Sequence, residues 1–149
     1  TAMISFSRVN TIPGIPSAWW GLLGREISRT LRYRRPRTVG VQSLSLQEMQ
    51  HINKQYRAKD RPTDVLSFTS EVQGRGEVWE MGDILLCPDY ARHEAERRGV
   101  PFAEEMVRLV IHGCLHLSGL DHVTKREEEH MFGLQERCLE RFFVCLNHS

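Results

Sequence analysis

The sequence predicts an α+β domain, one sheet of about four strands with helices packed on it. Two observations carry this. Residues 3–9, 38–44, 65–68 and 81–87 are short runs that are apolar or alternate with period two, as strands do. Between and after them lie longer stretches with apolar residues at helical spacing, bounded by Pro, Gly and capping residues. There are no repeats, no low-complexity segments and no linker, and 149 residues suit one domain with a real core, residues 3–149. Thr1-Ala2, ahead of Met3, reads as a cloning scar or incomplete processing.

Met3 to Val9 alternates and makes the first strand. Pro13, Gly14 and Pro16 turn the chain, and Ser17 is placed to cap a helix from Ala18 to about Arg34. Its inward residues are Trp19, Leu22, Leu23, Ile27 and Leu31. Thr38 to Leu44 is the second strand. Ser45-Leu46-Gln47-Glu48 is a capping box opening a helix to about Tyr56. A charged loop, Arg57 to Asp64, leads to the strand Val65–Phe68. Thr69 to Glu80, with Gly74 and Gly76, reads as a hairpin or flap, and Met81–Cys87 as the fourth strand. Pro88 starts a helix that Gly99 ends. Pro101 opens the next, which runs to Leu117 and is expected to be central. Thr124-Lys125-Arg126-Glu127 is a second capping box and starts a last helix to about Cys145.

Apolar content of 40% and charged content of 26% are ordinary for a soluble globular protein. No run of some 18 apolar residues exists, so no membrane span is expected. The first residues carry no export signal, which points to the cytoplasm. Cys87, Cys114, Cys138 and Cys145 form no C-x-x-C pair and are expected to be reduced thiols. Net charge is only +1, yet residues 1–61 hold 11 basic against 3 acidic residues, and residues 62–149 hold 9 against 16. Arg25, Arg29, Arg32, Arg34, Arg35 and Arg37 cluster around the end of the first helix. Such asymmetry fits a polyanionic partner; solvated helix faces neutralised by the acidic half fit it equally.

The chemistry concentrates in His112-Gly113-Cys114-Leu115-His116-Leu117-Ser118-Gly119-Leu120-Asp121-His122. His112 and His116 are four apart and share one helix face. Gly119 can end the helix and return the chain, bringing His122 to the same point. Three imidazoles with a fourth position open is the arrangement of a catalytic zinc site, so one Zn²⁺ per chain is expected. The spacing matches the metzincin pattern H-E-x-x-H-x-x-G-x-x-H except that Gly113 replaces the Glu, which is the general base of those proteases. Cys114 points away from the metal and belongs to the core. His51, His93, His130 and His148 have no partner spacing.

A second stretch joins the first. Tyr56-Arg57-x-Lys59-Asp60-x-Pro62-Thr63-Asp64-Val65-Leu66-Ser67-Phe68 precedes Met81-Gly82-Asp83-Ile84, and then comes H-G-x-L-H-L-x-G-x-D-H. Together these strongly resemble the YbeY family of bacterial metal-dependent endoribonucleases, or rRNA maturation factors, over essentially the whole chain from Met3. The departure is Met81, where Leu is commoner, a volume-conserving swap. The resemblance implies that His112, His116 and His122 are the zinc ligands and that Arg57 is the functional arginine. It implies single-stranded RNA as substrate, 3′-end maturation of small-subunit (16S) rRNA, and ribosome quality control. Implied partners are the small ribosomal subunit, one of its proteins and ribosome-assembly factors.

Within that picture a Zn²⁺ held by the three histidines would lower the pKa of water to about 7 and would polarise a phosphoryl oxygen. Arg57 and Lys59 are placed to hold phosphate, Arg bidentately. A salt bridge from Arg57 to Asp60 or Asp64 is the alternative. Asp121 either orients an imidazole from behind or bonds to its own turn backbone. Ser67 and Phe68 are expected beside the metal. Two other readings remain: a metzincin-like zinc protease that takes its base from elsewhere, and a non-catalytic, zinc-stabilised ribosome-binding module. The missing Glu argues against the first and the open fourth position against the second.

Overall fold

The computed structural model describes residues 4–9, 11–71, 78–120 and 122–148. Its strands are β1 (Ile4–Ser7), β2 (Arg37–Ser43), β3 (Val65–Thr69) and β4 (Trp79–Leu86). Its α-helices are α1 (Trp20–Leu31), α2 (Leu46–Arg57), α3 (Pro88–Arg98), α4 (Phe102–Leu117) and α5 (Lys125–Asn147). The strands form one sheet in the order β1-β2-β4-β3, with β1, β2 and β4 parallel and β3 antiparallel to β4. The α+β expectation holds, and α4 is the central helix, packed on β3, β4, α1, α3 and α5.

Alternation along β4 divides the two sides of the sheet. Ile84 and Leu86 enter the main core with Leu23, Ile27, Val107, Ile111, Leu115 and Phe142. Leu85 faces a second cluster, in which Met49 and Ile52 of α2 meet Leu66 and Phe68 of β3. The register slips between Thr38 and Val39, whose partners are Glu80 and Gly82, so Met81 is an extra residue. That bulge is why Met81 joins Ile84 in the core although strict alternation would put them on opposite faces. Gly82 is required there: its φ is +147°, and a Cβ would collide with the Phe68 carbonyl.

Both capping boxes form. Glu48 N–H donates to Ser45 Oγ (3.1 Å) and Ser45 N–H to Glu48 Oε1 (2.9 Å); Thr124 and Glu127 do the same at 3.1 Å each. Several boundaries differ from expectation. Ser17 caps nothing: Ser17–Trp19 is a 3₁₀ turn after Pro16, and α1 begins at Trp20. The same helix stops at Leu31 because Arg32 turns left-handed (φ +57°) and Tyr33 N–H closes on Ser28 O, three residues short of Arg34. Strand β4 starts at Trp79, two residues early, because Arg37 and Thr38 pair with it; Cys87 stands before α3 instead of ending the strand. Met3 and residues 72–77 of the expected flap lie outside the described residues.

The arginine cluster is partly structural. Arg37 lies over the rings of Tyr33 (3.7 Å) and Trp79 (4.5 Å), and Arg29 pairs with the buried Glu26 (3.3 Å).

Candidate metal centre

The last turn of α4 is built to reverse the chain. Gly119 has φ +100°, its N–H donates to His116 O (3.0 Å), and Leu120 N–H donates to Leu115 O (3.2 Å). This is the paired closure of a left-handed helix end, and it returns the chain so that His122 faces the helix it has just left. One ring nitrogen from each of His112, His116 and His122 lies within 4.8 Å of the other two. The Nε2 atoms of His112 and His116 are 3.0 Å apart. Tetrahedral nitrogens ~2.0–2.1 Å from a metal sit roughly 3.3 Å from one another, so the donor set fits a single ion. Three imidazoles suit zinc, copper, iron or nickel. Among the described residues no cysteine or carboxylate joins the cluster. Cys114 is fully buried, and burial pushes its thiol up.

One tautomer is imposed on His112 from outside α4. Arg108 holds Glu136 through Nε and Nη2 (3.0 and 3.2 Å) and also holds Glu105 (2.9 Å), tying α4 to α5. Burial is the largest single influence and would raise the Glu136 carboxyl, but hydrogen bonds from Arg108 and Gln135 and the charges of Arg108 and Arg98 together keep it below the ordinary range. An ionised Glu136 only accepts, so the Gln135 amide nitrogen faces it (3.1 Å). The Gln135 carbonyl oxygen is therefore turned to His112 Nδ1 (2.7 Å), which must donate. That leaves the Nε2 lone pair for a metal. Burial also lowers the pKa of His112, favouring the neutral ring that a metal needs.

A cavity of about 310 Å³ opens in front of the three histidines, lined also by Arg57, Thr63, Asp64 and Ser67. Arg57 is the last residue of α2, which ends at Ala58 in a left-handed turn (φ +57°). The loop beyond is pinned back by Asn53 Nδ2–H to Arg61 O (2.8 Å) and Gln50 Nε2–H to Asp60 Oδ1 (3.0 Å). Asp60 is thereby occupied, with Lys54 3.8 Å away, and the Asp64 carboxylate takes the Thr63 hydroxyl (3.4 Å). Among the described residues Arg57 makes no ion pair, so neither of the alternative salt bridges forms and its guanidinium is left to the cavity. Burial is the largest influence on Asp64 and raises its carboxyl, against hydrogen bonds from its own and Val65's N–H.

Gly113 lines this cavity, and its missing side chain also lets α4 close on the sheet: a Cβ there would lie 2.9 Å from Ile84 Cδ1.

The sequence model of the Endoribonuclease YbeY family matches residues 22–143. The chain belongs to the YbeY family. It is 44% identical to the Endoribonuclease YbeY of Bacillus licheniformis over 112 residues, covering 70% of this chain and 71% of that protein. To the Bacillus subtilis Endoribonuclease YbeY it is 42% identical with the same coverage. Its fold matches the solution structure of TM1509 from Thermotoga maritima with a TM-score of 0.63 and 27% identity, over 98% of this chain and 93% of that one. Membership makes the chain a hydrolase of the endoribonuclease class with RNA as its substrate. No helix among the described residues is long and apolar enough to cross a membrane.

In this YbeY chain the three histidines, Arg57 and Ser67 come together as expected. Lys59 does not line the cavity and is exposed. Phe68 is turned away from the histidines toward α2, its ring 5.3 Å from that of Tyr56. Asp121 lies outside the described residues. His51, His93, His130 and His148 are exposed and apart from the cluster. Sequence reasoning missed Gln135 and Asp64 as members of the site. Gln135 had one available signal, an amide among the apolar residues Met131, Leu134, Cys138 and Leu139 of α5's inward face.

Proposed function

We propose that this chain is a zinc-dependent endoribonuclease specific for single-stranded RNA. It acts in 3′-end maturation of small-subunit (16S) rRNA and in ribosome quality control, in the cytoplasm, with the small ribosomal subunit and its assembly factors as partners. The observation that carries the reading is one cavity bringing together three convergent imidazoles and an arginine that makes no ion pair among the described residues. His112, His116 and His122 would hold one Zn²⁺, which when bound supplies Lewis acidity toward a phosphoryl oxygen. Gln135 keeps His112 in the ligating tautomer. Arg57 grips the scissile phosphate bidentately and offsets the charge that develops on it. Lys59, exposed outside the cavity lining, engages a neighbouring phosphate as a point charge. A metzincin-type protease needs a carboxylate at position 113, and Gly113 cannot supply one.

The test is purified protein with single-stranded and duplex RNA, each with and without chelator. Chelator-sensitive cutting of single strands alone is expected. His116→Ala should abolish both cutting and zinc content by elemental analysis. Intact RNA together with chelator-sensitive hydrolysis of unstructured peptides would overturn the reading in favour of the protease.

A further inference from the structure

The histidine cluster has a second side. Glu128, Met131, Phe132 and Gln135 follow one another at i, i+3, i+4 and i+7 and so share one face of α5. With His112 and His122 they line another cavity of about 310 Å³, which therefore abuts the histidine cluster on a side that Arg57 and Asp64 do not line. Met131 and Gln135 are buried, whereas Phe132 at 59% exposed and Glu128 stand at the rim. The same Phe132 ring walls an adjoining depression with Lys125, Glu128 and Glu129.

The two cavities differ in chemistry. The Arg57 side offers a cation and fits a phosphate. The Phe132 side offers an aromatic face, a thioether and a carboxylate. Glu128 repels a phosphate but accepts hydrogen bonds from an exocyclic amino group. A flat ring with polar edges suits this cavity, and a polyanionic backbone does not. The volume is at the small end for ligand cavities, the scale of one nucleotide. A base can reach it only when unstacked and unpaired, which is how RNA single strands are told from duplexes.

We propose that this cavity is a nucleobase subsite, in which a base flanking the scissile phosphate stacks on Phe132 while the phosphate lies on the Arg57 side. The proposal rests on the endoribonuclease reading and names the residue that sets its preference for single strands.

The experiment is a fluorescence-anisotropy titration of labelled single-stranded RNA. It uses wild type, Phe132→Ala, Phe132→Leu and Phe132→Trp, each zinc-loaded and chelated. A companion set of RNAs carries one abasic nucleotide, stepped along the strand. Phe132→Ala should bind about 5- to 20-fold more weakly, the lower part of the range for base–aromatic stacking because only one ring face is offered. Phe132→Leu, apolar but without a ring, should lose as much; Phe132→Trp should bind like wild type. At one position the abasic RNA should weaken wild type by the same factor and leave Phe132→Ala unaffected. Zinc content and melting temperature should not move. If Phe132→Ala binds like wild type, or the two losses multiply at every position, the subsite is wrong and the nuclease reading stands. If wild type neither binds nor cuts RNA, both fall.

Discussion

Gln135→Leu isolates the control that α5 exerts on a ligand of α4. The substitution puts an apolar side chain of similar volume in place of the amide and deletes the oxygen that accepts from His112 Nδ1 at 2.7 Å. His112 is then free to rotate or to carry its proton on Nε2, the atom needed for metal. Loss of such an outer partner typically costs 10- to 100-fold in metal affinity, or about 1.4–2.7 kcal/mol. The fold should survive, because Arg108 still holds Glu136 by two hydrogen bonds and Glu105 by a third. Leaving the half-buried Nδ1–H unsatisfied costs about 1–3 kcal/mol, a fall of roughly 2–12 °C in melting temperature for a domain of this size. The assay is competition for Zn²⁺ against a fluorescent chelator, with melting followed on the metal-free protein. Gln135→Glu separates positioning from packing: its carboxylate still accepts from Nδ1 and should recover most of the affinity, although it loses the donor to Glu136. Unchanged affinity in Gln135→Leu, or equal loss in the Leu and Glu variants, would refute the reasoning.

Arg57→Ala should fold, keep its zinc and lose about 100-fold or more in RNA cleavage, as removal of one transition-state donor does elsewhere; RNA affinity should also become less salt-dependent. Unfolding or loss of metal in that variant would make Arg57 structural. Gly113→Glu must displace the Ile84 side chain, which a Cβ would approach to 2.9 Å. Overpacking of about 1–3 kcal/mol is partly offset by about 1 kcal/mol of helix propensity, so the melting temperature should fall modestly. RNA cleavage should drop further than stability explains, and wild type should hydrolyse no peptide. Asp64→Asn should stabilise the metal-free protein at neutral pH. Burial raises the Asp64 carboxyl, so above the unfolded pKa near ~3.9 the charged form opposes folding, and the penalty disappears once both states are protonated at lower pH. Melting curves at pH 7 and pH 3 check this; the same difference at both would sink it.

What could be read from the chain alone was what is satisfied locally. The capping boxes at Ser45 and Thr124 and the Gly119 reversal place their partners within a few residues, so sequence spacing and final geometry are nearly the same statement. For the same reason His112, His116 and His122 were legible as one cluster: two share a helix turn, and the third follows the turn that ends it. Arg57 was legible only through the motif around it, since Asp60 and Asp64 were equally good local partners on paper. Packing decided otherwise, by giving Asp60 to Gln50 and Lys54 and leaving Arg57 to the cavity. The sheet order and the bulge at Met81 were likewise decided by long-range strand pairing, which leaves no short-range trace. Gln135 lies 23 residues from His112, on another helix. Its amide is an ordinary polar side chain until Arg108 and Glu136 orient it, so the sequence determined the three-histidine cluster and the tertiary structure determined which nitrogen of His112 faces it.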